Sequence, residues 1–180
     1  MTGATTPAAD RAAIPADDGV RPLAFAAPDD PALRTVAISG GTYTILLSGS
    51  DTAGRFAVMD MVVPAQAGPP PHRHDFEETF HLLEGTLEVT VRGETKVLCA
   101  GETANVPANA LHAFRNPNDA TVRMLCIVAP AGLEEFFAEV GELLPSRTAT
   151  PRELTPDERA AQLRHGAELS ARYGVDISGT

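Results

Sequence analysis

The sequence has no run of about 18 consecutive apolar residues, which excludes a membrane-spanning helix as a reading of this chain. Its first residues, MTGATTPAADRAAIPADDGV, have neither a basic start nor an apolar stretch of about 7–15 residues, so no secretory signal is read there and a cytoplasmic protein is expected. Positive charge is scarce: 14 Lys and Arg stand against 24 Asp and Glu, for a net charge of -10. No Lys/Arg cluster is longer than a pair. Phosphate backbones and anionic membrane surfaces both require a basic patch, so neither nucleic acid nor a membrane is an expected partner. Cysteine is limited to Cys99 and Cys126, in the apolar, strand-like segments KVLCA and MLCIV. Without a CxxC pair there is no zinc knuckle, and the expectation is two reduced core thiols rather than a disulfide. A repeat of 20–50 residues is also missing, as is a helix-turn-helix candidate that would make the chain a self-contained transcription factor.

What is present fits one domain with a sizeable core in 180 residues. The stretch 1–34 is rich in Ala, Pro, Asp and Thr without a sustained period, and is read as a flexible N-terminal arm. From about Val36 the texture changes to short strands. Tyr43 to Leu47 and Phe56 to Val63 read as strands, with Met59, Met61 and Val63 on one face. Leu87, Val89 and Val91 alternate with polar residues, Arg92-Gly93-Glu94 suits a hairpin turn, and Val97 to Cys99 returns. His112 to Arg115 and Val122 to Val128 complete an all-β unit over 35–130, a barrel or sandwich by its spacing of strands and turns. Helices are expected only over 131–180. Leu133, Phe136, Phe137, Val140, Leu143 and Leu144 make one apolar stripe that Pro145 stops. Thr155, Pro156 and Glu158 then open a second helix that Gly174 ends. These helices are expected to pack on the barrel or on a second subunit.

Two segments carry chemistry. In GPPPHRHDFEETFHLLEG, His72 and His74 are two apart and point to one side of an extended strand, and Glu78 has the same parity. Two imidazoles and a carboxylate suit a divalent metal such as Fe, Mn, Co, Ni or Zn. The neighbouring Glu77 would face the other way unless a bulge exchanged the two. In GETANVPANALHAFRN, a turn around Pro107-Ala108-Asn109 leads to His112, with Phe114 and Asn116 on the same face. His81 opposes the parity of the ligand set and is read as a core or interface histidine. His165 is read as a surface residue, and Arg73 and Arg115 as salt-bridge partners.

In order and spacing these segments resemble the two motifs of the cupin superfamily. The first is matched by Gly68, His72, His74, Glu78 and Gly85, with a short gap after Gly68. The second is matched by Gly101, Pro107, His112 and Asn116, with Asn109 where the family usually has Gly. Asn tolerates a left-handed turn best after Gly. More narrowly, GPPPHRH, ETFHLLEG and VPANALHAFRN are similar to small bacterial single-domain cupins of the quercetin 2,3-dioxygenase-like kind. The resemblance implies a double-stranded β-helix, or jelly-roll barrel. It implies one divalent metal per chain (Fe, Mn, Ni, Co or Zn) held by His72, His74, Glu78 and His112, with Glu78 also the candidate catalytic base. Met59, Met61, Phe80, Val106 and Phe114 are candidate pocket residues, and an apolar lining would suit a planar or hydrophobic small molecule. The implied activity is dioxygenation of an enol, phenol or flavonol-like substrate, with O2 as co-substrate. Lewis-acid isomerase, cyclase or lyase chemistry, and a non-enzymatic small-molecule-binding module, are the alternatives. A homodimer is expected, since barrels of this kind pair through exposed edges.

Overall fold

The computed structural model describes residues 16–38 and 40–177. Of the arm expected over 1–34, residues 1–15 lie outside the described residues. Residues 16–34 form no helix or strand, and Asp29 is tied to Arg147 at 2.7 Å.

The strands are β1 (Thr35–Ile38), β2 (Gly41–Leu47), β3 (Ala57–Val63), β4 (Arg73–His74), β5 (Glu77–Glu84), β6 (Thr86–Val91), β7 (Glu94–Cys99), β8 (Thr103–Val106), β9 (His112–Arg115), β10 (Val122–Ala129), β11 (Glu142–Leu144) and β12 (Val175–Asp176). The helices are α1 (Gly49–Thr52), α2 (Leu133–Val140) and α3 (Pro156–Ser170), the last followed by a 3-10 turn at Ala171–Tyr173. Every ladder is antiparallel. One sheet runs β11-β1-β2-β3-β10-β5-β8, a second runs β7-β6-β9, and β12 pairs with β4. Together they form an all-β jelly-roll barrel, with α2 and α3 following β10 and the one-turn α1 between β2 and β3.

Period-two patterning decides which side chains enter the barrel. Met59, Met61 and Val63 of β3 point in, as do Met124 and Cys126 of β10, Phe80 and Leu82 of β5, Leu87 of β6 and Phe114 of β9. Register aligns Met59 with Cys126, and Cys126 with Phe80, across the sheet. One row further on, Glu78 stands between Val128 of β10 and Val106 of β8, so a carboxylate replaces an apolar side chain at one rung of an otherwise hydrophobic wall. Arg92 and Gly93, with φ of 51° and 85°, make the two-residue turn whose twist suits the β6–β7 hairpin.

Four sequence expectations are corrected. Helices are not confined to 131–180: the short α1 lies between β2 and β3, where the Asp51 carboxylate accepts from the Ser48 amide and hydroxyl and holds one turn. The stripe from Leu133 to Leu144 does not form one helix: α2 ends at Val140, Gly141 is extended, and Glu142–Leu144 pairs with β1. A Cβ at Gly141 would lie 2.7 Å from the Phe137 carbonyl and 2.8 Å from Val36 Cβ, so the chain turns where only glycine fits. Cys99 is exposed at the end of the edge strand β7, while its neighbour Leu98 takes the inward place; Cys126 is buried, and both thiols are free. Finally, no unbroken strand links His74 to Glu78, because Asp75 and Phe76 interrupt it between β4 and β5.

Candidate metal centre

Four side chains meet at one end of the barrel. His72 directly precedes β4 and His74 ends it, Glu78 stands on β5, and His112 opens β9. One donor atom from each lies within 4.8 Å of the donor atoms of the other three. His74, Glu78 and His112 are buried and His72 is half-buried, so the cluster faces outward on the His72 side. The chain brings His72 and His112 together by a reciprocal backbone pair, each amide donating to the other's carbonyl at 2.9 Å. Asn109, with the left-handed φ of 65°, turns the β8–β9 loop back so that its amide donates to the His74 carbonyl at 2.7 Å. Glu78 rather than Glu77 faces inward. The Glu77 carboxylate is exposed, accepts from Asn105 Nδ2 and the Ala108 amide, and is held below the ordinary carboxylate range by those bonds, Asn105 first.

The imidazole tautomers are set by the backbone. Each Nδ1 lies against a carbonyl two residues away: His72 with Pro70 at 3.0 Å, His74 with Phe76 at 2.8 Å, His112 with Ala110 at 2.9 Å. A carbonyl only accepts, so each Nδ1 carries a proton, and in the neutral ring each Nε2 is left with its lone pair. His74 Nε2 and His112 Nε2 both stand 3.0 Å from Glu78 Oε2. Lone pairs and a carboxylate cannot share that space without a cation among them, either a proton or a metal ion. Their donor chemistry, neutral imidazole plus carboxylate, fits a first-row divalent ion.

The charges reflect the same contest. Burial pushes the Glu78 carboxyl up, but hydrogen bonds from His112 and His74 outweigh it and bring it down to about 2. Burial, then the charge of His112, brings His72 down to about 4. For His112 burial works in the opposite direction to the Glu78 hydrogen bond, which prevails and raises it.

Around the cluster the wall is apolar. Phe76 stacks on the His74 ring, 4.0 Å between centroids and 2° from parallel. Phe80 and Phe114 meet edge to face at 5.3 Å. The five residues expected to line a pocket, Met59, Met61, Phe80, Val106 and Phe114, are all buried, none more than 6 % exposed, and they pack as core beneath the cluster. Cys126, read from the sequence only as a core thiol, has a second place here: its Sγ donates to Glu78 Oε1 at 3.3 Å. Burial and then Glu78 push that thiol well above its ordinary range. Its inward parity in MLCIV was readable from the sequence; its register against β5 was not. Asn116 is no ligand. Its amide donates to the carbonyls of Val63, Pro64 and Ala120 and closes the loops at the far end of β9. His81 is half-buried, with Nδ1 2.9 Å from Thr103 Oγ1, and His165 is exposed on α3. Arg73 pairs with Asp176, whereas Arg115 donates to the neutral Gln66 amide.

Fold and cluster together define a jelly-roll barrel with a His/His/Glu/His site at one end. Residues 59–128 match the family model described as Cupin domain. The chain is 26% identical over 126 residues to a quercetin 2,3-dioxygenase of Aspergillus japonicus, a match that covers 66% of this chain and 36% of that protein. It is 38% identical over 76 residues to the polyketide synthase CurC of Streptomyces cyaneus, covering 42% of this chain and 49% of that one. The chain thus spans about a third to a half of the length of these relatives. Among solved structures, an RmlC-like cupin from Shewanella frigidimarina shares the fold with a TM-score of 0.54 at 20% identity, over 64% of this chain and 97% of that one. Among the described residues no helix is long and apolar enough to cross a membrane.

Proposed function

We propose that this chain is a metal-dependent cupin enzyme that adds dioxygen to a small enol or phenol. The observation that carries the reading is the convergence of three imidazoles, each with its proton held on Nδ1, and one ionised carboxylate on a single point. His72, His74, Glu78 and His112 would hold the ion. Bound there, a divalent ion would supply a Lewis acid that lowers the pKa of a substrate hydroxyl and, if redox-active, a route for reaction with O2. The similarity to a quercetin 2,3-dioxygenase supports this chemistry over others. Both oxygen atoms would enter the product, so no outside reductant is needed.

The protein's own part is positioning and proton handling. Glu78 Oε2 faces the imidazoles, while Oε1 is held from behind by the Cys126 thiol. That leaves Oε2 as the atom to accept the substrate's hydroxyl proton, at a carboxylate kept ionised by its histidine partners. Phe76, Phe80 and Phe114 exclude water from the barrel side, so substrate approaches past the half-buried His72. A planar apolar molecule with one acidic hydroxyl fits such an entrance.

A second reading uses the same site without oxygen, as a Lewis acid for cyclisation or isomerisation; among the relatives, CurC is described as a polyketide synthase and not as an oxygenase. The deciding experiment loads the protein with iron, manganese, nickel, cobalt or zinc and screens a panel of enols, phenols and flavonols for oxygen uptake and product formation. Turnover that consumes one O2 per product supports the dioxygenase. Turnover that continues unchanged under anaerobic conditions replaces it with the second reading. Glu78→Gln should slow turnover far more than it weakens substrate binding, and equal loss of both would remove the base role from Glu78.

A further inference from the structure

The strand that carries His74, with His72 directly before it, is only two residues long, and its sheet partner comes from the other end of the chain. β4 pairs with β12 in a register that sets His74 opposite Val175 and Arg73 opposite Asp176. We infer that the C-terminal segment Ala171–Asp176 is a strap that sets the His72 and His74 side of the metal centre, and that docking of the strap and binding of metal stabilise one another. This rests on the metal-site reading above.

The contacts divide cleanly between two edges. On the barrel side, His72 is paired with His112, and the His74 carbonyl accepts from Asn109. On the other side the strap supplies what the barrel does not. The Asp75 amide donates to the Gly174 carbonyl at 3.0 Å, and Arg73 meets Asp176 at 2.8 Å. Asp75 sits directly before Phe76, whose carbonyl receives His74 Nδ1, so the strap grips the residue between a ligand and the anchor of its ring. The fit is close: Gly174 has φ +66°, and a Cβ there would lie 2.2 Å from Asp75 Oδ1. The strap is itself anchored. Val175 is buried, Leu169, Tyr173 and Ile177 pack against the core, and Arg172 reaches Glu139 of α2 at 3.1 Å.

A two-residue ladder with exposed ion pairs is a weak structure by itself. Its coupling to the cluster is therefore open to change. Metal that holds His72 and His74 in place presents a formed β4 to the strap, and a docked strap presents formed ligands to the metal. The coupling must be equal in both directions.

The test uses the full-length chain and Co2+ as probe, with amide hydrogen exchange read by mass spectrometry. In the unaltered protein Co2+ should slow exchange at 171–177 and 70–78 more than at 94–99 in the edge strand β7, which carries none of the four clustered side chains. Gly174→Val, which drives a side chain into Asp75, should weaken Co2+ binding by roughly tenfold or more and alter the visible Co2+ spectrum. Asp176→Ala, a change at an exposed ion pair, should act in the same direction but less, and serves if Gly174→Val does not fold. Co2+ binding that leaves exchange at 171–177 unchanged, or strap variants that bind Co2+ as the unaltered protein does, would overturn the strap. Failure of the unaltered protein to bind Co2+ at all would instead overturn the metal-site reading beneath it.

Discussion

Replacing Glu78 with Gln keeps the shape of the side chain and removes its charge, and the consequence can be worked from the cluster. In the metal-free protein the histidine hydrogen bonds bring this carboxyl from an ordinary 4.5 down to about 2. At about 1.4 kcal/mol per tenfold, that favours the ionised form in the folded state by about 3 kcal/mol. Because the folded value is depressed, this contribution is present above the ordinary 4.5 and is lost as pH falls towards 2. Glu78→Gln should therefore lower the stability of the metal-free protein at pH 7 by about 3 kcal/mol, or about 6–12 °C in Tm for a chain of this size. The deficit should shrink on acidification below 4.5. The same change removes the only anionic donor of the cluster. Loss of a partner behind a ligand typically costs about 10–100-fold in metal affinity, so loss of the donor itself should exceed that range. Thermal unfolding with and without chelator, beside a Co2+ titration, measures both quantities. If the variant matched the unaltered protein in Tm at pH 7 and bound Co2+ within about threefold, the charge at Glu78 would not organise this site.

Two further outcomes follow from the same geometry. Cys126→Ala removes the donor to Glu78 Oε1 and should weaken Co2+ binding by about tenfold, whereas Cys126→Ser, which keeps an O–H there, should stay within about threefold; equal effects would reduce Cys126 to packing. Metal affinity should also fall as pH drops. The imidazoles bind only when neutral, and protons compete for His112, raised by Glu78, at higher pH than for His72, which stays neutral to about 4. Titrations at successively lower pH values should approach a loss of about tenfold per unit, and a flat profile would show that metal and protons do not compete for His112.

The barrel was legible in the sequence wherever one side of a strand is buried and the other is not. Leu87, Val89 and Val91, or Met59, Met61 and Val63, state their own faces. It was illegible where a segment satisfies two periods at once. Leu143 and Leu144 continue the helical stripe of Leu133 and Val140, yet they pair with β1, because Gly141 breaks the helix and Val36 and Leu143 lie opposite one another across the ladder. β8 escaped notice because Thr103, Ala104 and Asn105 form an edge with little apolar signal. At the site, parity brought His72, His74 and Glu78 forward, and the resemblance to the two cupin motifs added His112. The interruption at Asp75–Phe76 did not spoil the parity argument, since the chain resumes with Glu78 inward. What spacing could not show was contact between distant segments: the thiol of Cys126 behind Glu78, and the pairing of β12 with β4.

The three imidazoles are each anchored to a carbonyl only two residues away, at Pro70, Phe76 and Ala110. Ring orientation is thus written into three short peptides rather than into the barrel as a whole. A scaffold that reproduced only 70–78 and 110–112 in their relative places would inherit the tautomers with them. The rest of the wall would then be free to vary in size and shape. The site behaves as a portable cassette, and the barrel as the frame that holds its pieces in register.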